Sequence, residues 1–93
     1  MTSKIMQSKL IFTVQPEYPV LAVRTRVQGA VVIEAVVTRS GTIDPSRLRV
    51  VSGHPLLTPA AVEAVAKWRY QPTILNDQPV EVLATITVNF TLN

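Results

Sequence analysis

Residues 29–38, Gly-Ala-Val-Val-Ile-Glu-Ala-Val-Val-Thr, are apolar on both parities and rich in β-branched side chains. In an extended strand Val31, Ile33, Ala35 and Val37 share one face, and Val32, Glu34 and Val36 share the other. A strand apolar on both faces is usually central in its sheet. The rest of the chain must therefore supply a neighbour on each side and a layer to cover it.

The first neighbour follows at once. Ser40-Gly41 is a tight hairpin turn, because glycine takes the positive φ such turns require. The return strand is expected from about Leu48 to Val51. Pro45 lies between turn and strand and cannot donate to a ladder, which predicts an edge strand, bulged or interrupted there. The second neighbour comes last. Residues 80–92 alternate strictly, with Val82, Ala84, Ile86, Val88, Phe90 and Leu92 on one face. Leu83, Thr85, Thr87, Asn89 and Thr91 form the other, which predicts one buried and one wet face.

Two helices supply the cover. Pro16-Glu17-Tyr18-Pro19 is a turn, since each proline pushes its predecessor out of the α region. A helix follows from Pro19, with Leu21, Ala22 and Val23 expected to meet the core, Arg24 and Arg26 to face water, and Gly29 to mark the stop. In the second helix Thr58 is read as the N-cap and Pro59 as the first helical residue. Leu57, Ala61, Ala64, Val65 and Trp68 recur at helical spacing as one apolar stripe. Asn76-Asp77-Gln78-Pro79 is a turn before the last strand.

These elements assemble as a two-layer α+β fold. A three-stranded antiparallel-type sheet has the order 2-1-3, counting from the Gly29 strand, and both helices lie on one face. The second helix crosses over the first strand, so that strands two and three run parallel to each other with the most apolar strand between them. Strands two and three are then open edges. The third is the longer and has no internal proline.

Composition narrows the function. The chain has 93 residues, 47% hydrophobic and 16% charged, the balance of one globular domain. With no cysteine it can form no disulfide or thiolate metal site. No apolar run approaches the roughly 20 residues needed to span a bilayer, and residues 1–13 lack the apolar core of a secretion signal. The expectation is a cytosolic chain or a piece of a larger protein, with 1–14 an N-terminal leader that becomes extended near Leu10-Ile11-Phe12-Thr13-Val14, and 15–93 the domain. The net charge of +3 is scattered, without the dense basic stripe of a nucleic-acid binder. His54 is the sole histidine and no ligand set surrounds it in the pattern. Glu34, Glu63 and Asp77 form no acid–base pair, and Ser52 has neither base nor orienter. No enzyme, cofactor or metal is predicted.

What remains is the last strand. An edge strand offers unpaired N–H and C=O groups to an extended peptide. Each ladder bond nets about 0.5–1.5 kcal/mol, so a handful gives a contact that can release. The segment predicted to bind is Leu83, Ala84, Thr85, Ile86, Thr87, Val88, Asn89 and Phe90. The alternative is a homodimer, with a second copy on the edge or on the apolar second face of Val32, Val36 and Leu83. Trp68 and Tyr70 read as core rather than as a binding platform, with Arg69 between them pointing outward.

The motifs QPEYP (15–19), VVSGHPLL (50–57), AAVEAVAKWRYQP (60–72) and TITVNF (85–90), in that order, resemble the C-terminal domain of TonB energy transducers. The resemblance covers about residues 15–92, and the Trp-Arg-Tyr-x-Pro that follows an alanine-rich helix is its most specific piece. It implies a periplasmic domain of a protein anchored in the inner membrane, where an N-terminal helix docks on an ExbB/ExbD-type motor. The domain would grasp the TonB box of outer-membrane transporters to drive uptake of iron chelates or other solutes. It also implies that Gln15 and Pro16, the segment before the Tyr-Pro pair, touch the box, a polar turn being the other reading. Arg69, pointing outward beside the core cap, is expected to meet either an acidic group on the transporter or only water. Two features depart from the family pattern: Pro45-Ser46 look like an insertion, and the usual Asn-Gly turn is Asn76-Asp77.

Overall fold

The structure is a computed structural model, and it describes residues 10–92. The nine-residue strand β2 (Gly29–Val37) is central, as its sequence requires, in a sheet of order β3-β2-β7. Its neighbours β3 (Ile43–Ser52) and β7 (Val82–Phe90) are both antiparallel to it, hence parallel to each other. The helix α2 (Thr58–Val65) connects them in chain order.

The core lies on one face of this sheet. Val31, Ile33, Ala35 and Val37 of β2 meet Ala84, Ile86, Val88 and Phe90 of β7, all buried. Leu57, Ala61 and Val65 from α2 and Ala22 from α1 (Val20–Arg24) close over them. The predicted alternation of β7 is followed without a break from Leu83 to Phe90.

Several expectations are corrected. The first helix is five residues long and buries only Ala22; Leu21 is 57% and Val23 43% exposed. One turn of helix can aim only one residue at the sheet, so the local apolar run overstated the contact. The helix ends at Arg24 with Thr25 as its C-cap, and the chain is turned at Arg26 rather than at Gly29. Arg26 takes φ 57°, its N–H donates to the Val23 carbonyl (3.2 Å) and the next N–H, of Val27, to that of Ala22 (2.8 Å). This is a Schellman closure with arginine where glycine is usual. At the second helix the N-cap is Leu57, not Thr58, and no side chain caps it. His54 does that work: its carbonyl accepts from Leu57 (2.9 Å) and Thr58 (3.1 Å), and its Nδ1 accepts from the Leu56 N–H (3.0 Å). The stripe is buried from Leu57 to Val65, but the helix ends before Trp68.

Strand β3 begins earlier than expected and runs through Pro45, with register shifts on both sides of the Ile33–Ala35 pairing. The turn before it is a three-residue loop in which the Gly41 N–H donates to the Thr38 carbonyl (2.9 Å) and the Thr38 N–H to the Thr42 carbonyl (2.8 Å). Gly41 has φ 89°, and a Cβ there would lie 2.0 Å from the Tyr70 carbonyl oxygen. Glycine is needed both for the turn and to let the segment after α2 approach.

That segment holds short strands the periodicity does not reveal. β4 (Arg69–Tyr70) pairs with β1 (Leu10–Phe12), so part of the predicted leader is a strand; residues 1–9 lie outside the described residues. β5 (Thr73–Leu75) and β6 (Gln78–Val80) form a hairpin around Asn76 and Asp77, at φ 52° and 64°. The departure from Asn-Gly is thus absorbed by keeping the two-residue turn and placing aspartate in a left-handed conformation. β7 begins at Val82, two residues later than the alternation alone indicates.

Candidate functional site: the free edge of β7

β7 pairs with β2 over nine consecutive residues, from Gly29 opposite Phe90 to Val37 opposite Val82, with no bulge. Among the described residues no strand lies on its other side. The direction of each backbone group follows from the hairpin. Thr38 donates to Thr42, so its backbone groups point toward β3. Successive residues of a strand alternate, so those of Val37, Ala35, Ile33 and Val31 point toward β7. Their partners are Val82, Ala84, Ile86 and Val88. Leu92, of the same parity, directs its N–H back to Gln28 Oε1 (2.6 Å), which agrees.

The predicted segment therefore divides in two. Ala84, Ile86, Val88 and Phe90 spend their backbone groups on β2 and their side chains on the core. Leu83, Thr85, Thr87 and Asn89 turn theirs outward, and their side chains are exposed on the opposite sheet face. These four present a regular row of donors and acceptors with no proline among them.

Gln15 and Pro16 converge on this row. With Thr13, Val14 and Trp68 they face Thr87, Val88 and Asn89 across a groove of about 290 Å³. The irregular chain from Thr13 to Pro16 is one wall and the end of β7 the other. Tyr18 fixes this chain below: its hydroxyl donates to the Val27 carbonyl (2.6 Å) and its ring meets Phe90 edge-on at 5.4 Å. Trp68 fixes it above, donating from Nε1 to the Val14 carbonyl (3.0 Å). Tyr70 is core as predicted, and burial raises the pKa of its hydroxyl. Trp68 is only half-buried, and it both packs against the core and lines the groove. Its groove role and those of Thr13 and Val14 were missed from sequence. The available signal was the indole N–H, which needs a partner when it is drawn inward.

Arg69 does not join them. It is exposed on β4, bridged to Thr42 and paired with Phe12, outside the lining of the groove. The groove lining holds no ionisable side chain.

Residues 14–92 match the family described as Gram-negative bacterial TonB protein C-terminal. The chain belongs to the TonB C-terminal domain family. It is 33% identical over 78 residues to the protein tonB2 of Pseudomonas aeruginosa, a match covering 84% of this chain and 29% of that one. It is 33% identical over 79 residues to the TonB protein of Vibrio cholerae, covering 85% of this chain and 32% of that one. The chain thus spans about a third of the length of these TonB relatives. The solution structure of the Pseudomonas aeruginosa TonB C-terminal domain superposes with a TM-score of 0.73 at 27% identity, covering 90% of this chain and 85% of that one. The TonB C-terminal domain is an interaction domain of energy transducers and not an enzyme. No helix among the described residues is long and apolar enough to cross a membrane.

Proposed function

We propose that this TonB-type domain captures the TonB box of outer-membrane transporters by β-strand addition to the free edge of β7. It acts in the periplasm, as part of a protein anchored in the inner membrane and driven there by an ExbB/ExbD-type motor. Pulling on the captured box drives solute uptake through the transporter.

One observation carries the reading: the unbroken outward row of Leu83, Thr85, Thr87 and Asn89, with Gln15 and Pro16 placed across from its end. Strand addition takes its affinity from main-chain bonds, each worth about 0.5–1.5 kcal/mol net. A row of this length suits micromolar binding once association costs are met, and a transducer must let go after each stroke. Arg69, lying outside the groove, is assigned a contact with an acidic group on the transporter away from the box.

Amide exchange tests this directly. Titration with a synthetic TonB-box peptide should slow exchange at Leu83, Thr85, Thr87 and Asn89. It should leave Ala84, Ile86 and Val88, already bonded to β2, unchanged. Protection of the four amides before any peptide is added, in a stable dimer that does not respond to peptide, would replace capture by homodimerisation through the same edge.

A further inference from the structure

The wall of the groove opposite β7 is made of chain that does little to hold itself. Residues 13–16 carry no strand pairing. Just upstream, β1 is tied to β4 by two register pairs with a shift between them, and Ile11 and Phe12 are largely exposed. Against this loosely held stretch, Trp68 reaches across 54 positions of sequence to bond the Val14 carbonyl, at 3.0 Å. The indole is anchored at its other end, because Trp68 packs on the core cluster. A rigid, core-mounted donor thus grips the backbone one residue before Gln15.

We propose that Trp68 is a positioning residue for strand capture, its indole N–H holding Val14–Pro16 at a fixed distance from β7 so that the incoming strand meets a ready-made slot. The inference rests on the strand-addition reading. Its physical basis is preorganisation: a wall already in place need not be ordered at the moment of binding, and that ordering cost is subtracted from affinity. An aromatic ring alone would fill the same space, but only the N–H can fix the strap, so the two roles are separable by substitution.

Trp68→Phe keeps a ring and removes the donor. The expected result is a folded domain whose affinity for a synthetic TonB-box peptide falls about fivefold to tenfold, the equivalent of one hydrogen bond. The Gln15 amide, which should shift on binding in the parent protein, should lose its response while Thr85 keeps its own. Trp68 is the only tryptophan, so its indole N–H gives a single resonance. In the parent protein its exchange with solvent should slow when peptide closes the groove. If Trp68→Phe fails to fold, replacing Trp68 with benzothienylalanine, an isostere with sulfur in place of the N–H, gives the same readouts. Unchanged affinity with an unchanged Gln15 response in either variant overturns the positioning role and leaves strand addition standing. Failure of the peptide to perturb β7 in the parent protein overturns strand addition, and this inference with it.

Discussion

The central sheet has two outer edges, and they are built in opposite ways. β3 is interrupted: Pro45 lies within it, its register to β2 shifts twice, and charge is gathered at its start. There Arg47 donates from Nε to Asp44 (2.8 Å) and from Nη1 to Glu81 (3.0 Å), and Arg49 farther along pairs with Glu34 (3.0 Å). Proline, bulges and charges are the usual means of keeping an edge from pairing with another chain. β7 has none of them; it is regular over nine residues and its outward row is hydroxyl, amide and one leucine. Protection at one edge and its omission at the other teaches that the open edge of β7 is not a general tolerance of this small domain. Among the described residues it is the edge that carries neither a partner strand nor these safeguards.

The largest effect should separate two adjacent prolines. Val88→Pro removes an N–H that bonds Val31 and leaves that carbonyl orphaned in the core. The cost is about 3 kcal/mol or more, enough to unfold a domain of this size. Thr87→Pro removes an N–H that points away from the sheet, so the melting temperature should stay within a few degrees while peptide affinity falls at least tenfold. Proline is tolerated in a strand where its missing donor faces outward. Thermal melts and peptide titration of the two variants check the assignment of direction. A larger loss of stability from Thr87→Pro than from Val88→Pro would show the parity of β7 to be reversed, and the outward row would then be Ala84, Ile86 and Val88.

A smaller effect should follow from opening the protected edge. Pro45→Val with Asp44→Val restores a donor to β3 and removes part of its charge. The expected outcome is concentration-dependent self-association, visible by sedimentation at tens of micromolar, with peptide affinity at β7 unchanged. A variant that stays monomeric would mean that the register shifts alone suffice to protect β3.

Much of this contrast was legible in the sequence, and the reasons differ by element. Both parities of 29–37 are apolar, which marks a central strand, and the strict alternation of 82–90 marks a strand with one wet face; these signals are local and long. Pro45 announced the irregular edge by itself. The strands β4, β5 and β6 are two or three residues long, too short for a period to register, and β4 depends on β1, far away in sequence. Leu21 and Val23 look like core residues because local pattern cannot tell how many turns a helix will keep. Which residues of β7 turn outward could not be read either: alternation gives the side chains, while the backbone direction depends on a hydrogen bond at Thr38, across the hairpin. The placement of Gln15 and Pro16 came from the family resemblance. Their groove depends on Trp68, whose apolar helical spacing hid the polar end of the ring.

The smallest predicted effect concerns pH, and again the two edges should part. Hydrogen bonds from the Ser46 side chain, then Arg47, then the Ser46 backbone lower the pKa of Asp44 to about 2, and the Arg47 bond lowers that of Glu81. Carboxylates with depressed folded-state values contribute stability that is present above their ordinary values near 4 and lost as pH falls, for Asp44 through about 2. Asp44 is half-buried at the surface and Glu81 is exposed, so the contribution is small and should shrink further in salt. The melting temperature should therefore decline gently between pH 4 and 2, and less so in Arg47→Ala. Peptide affinity at β7 should be flat between pH 5 and 8, because no ionisable side chain lines the groove. A step in affinity within that window would mean that a titrating group outside the lining reaches the bound strand. In that case the uncharged character assigned to the β7 edge would be wrong.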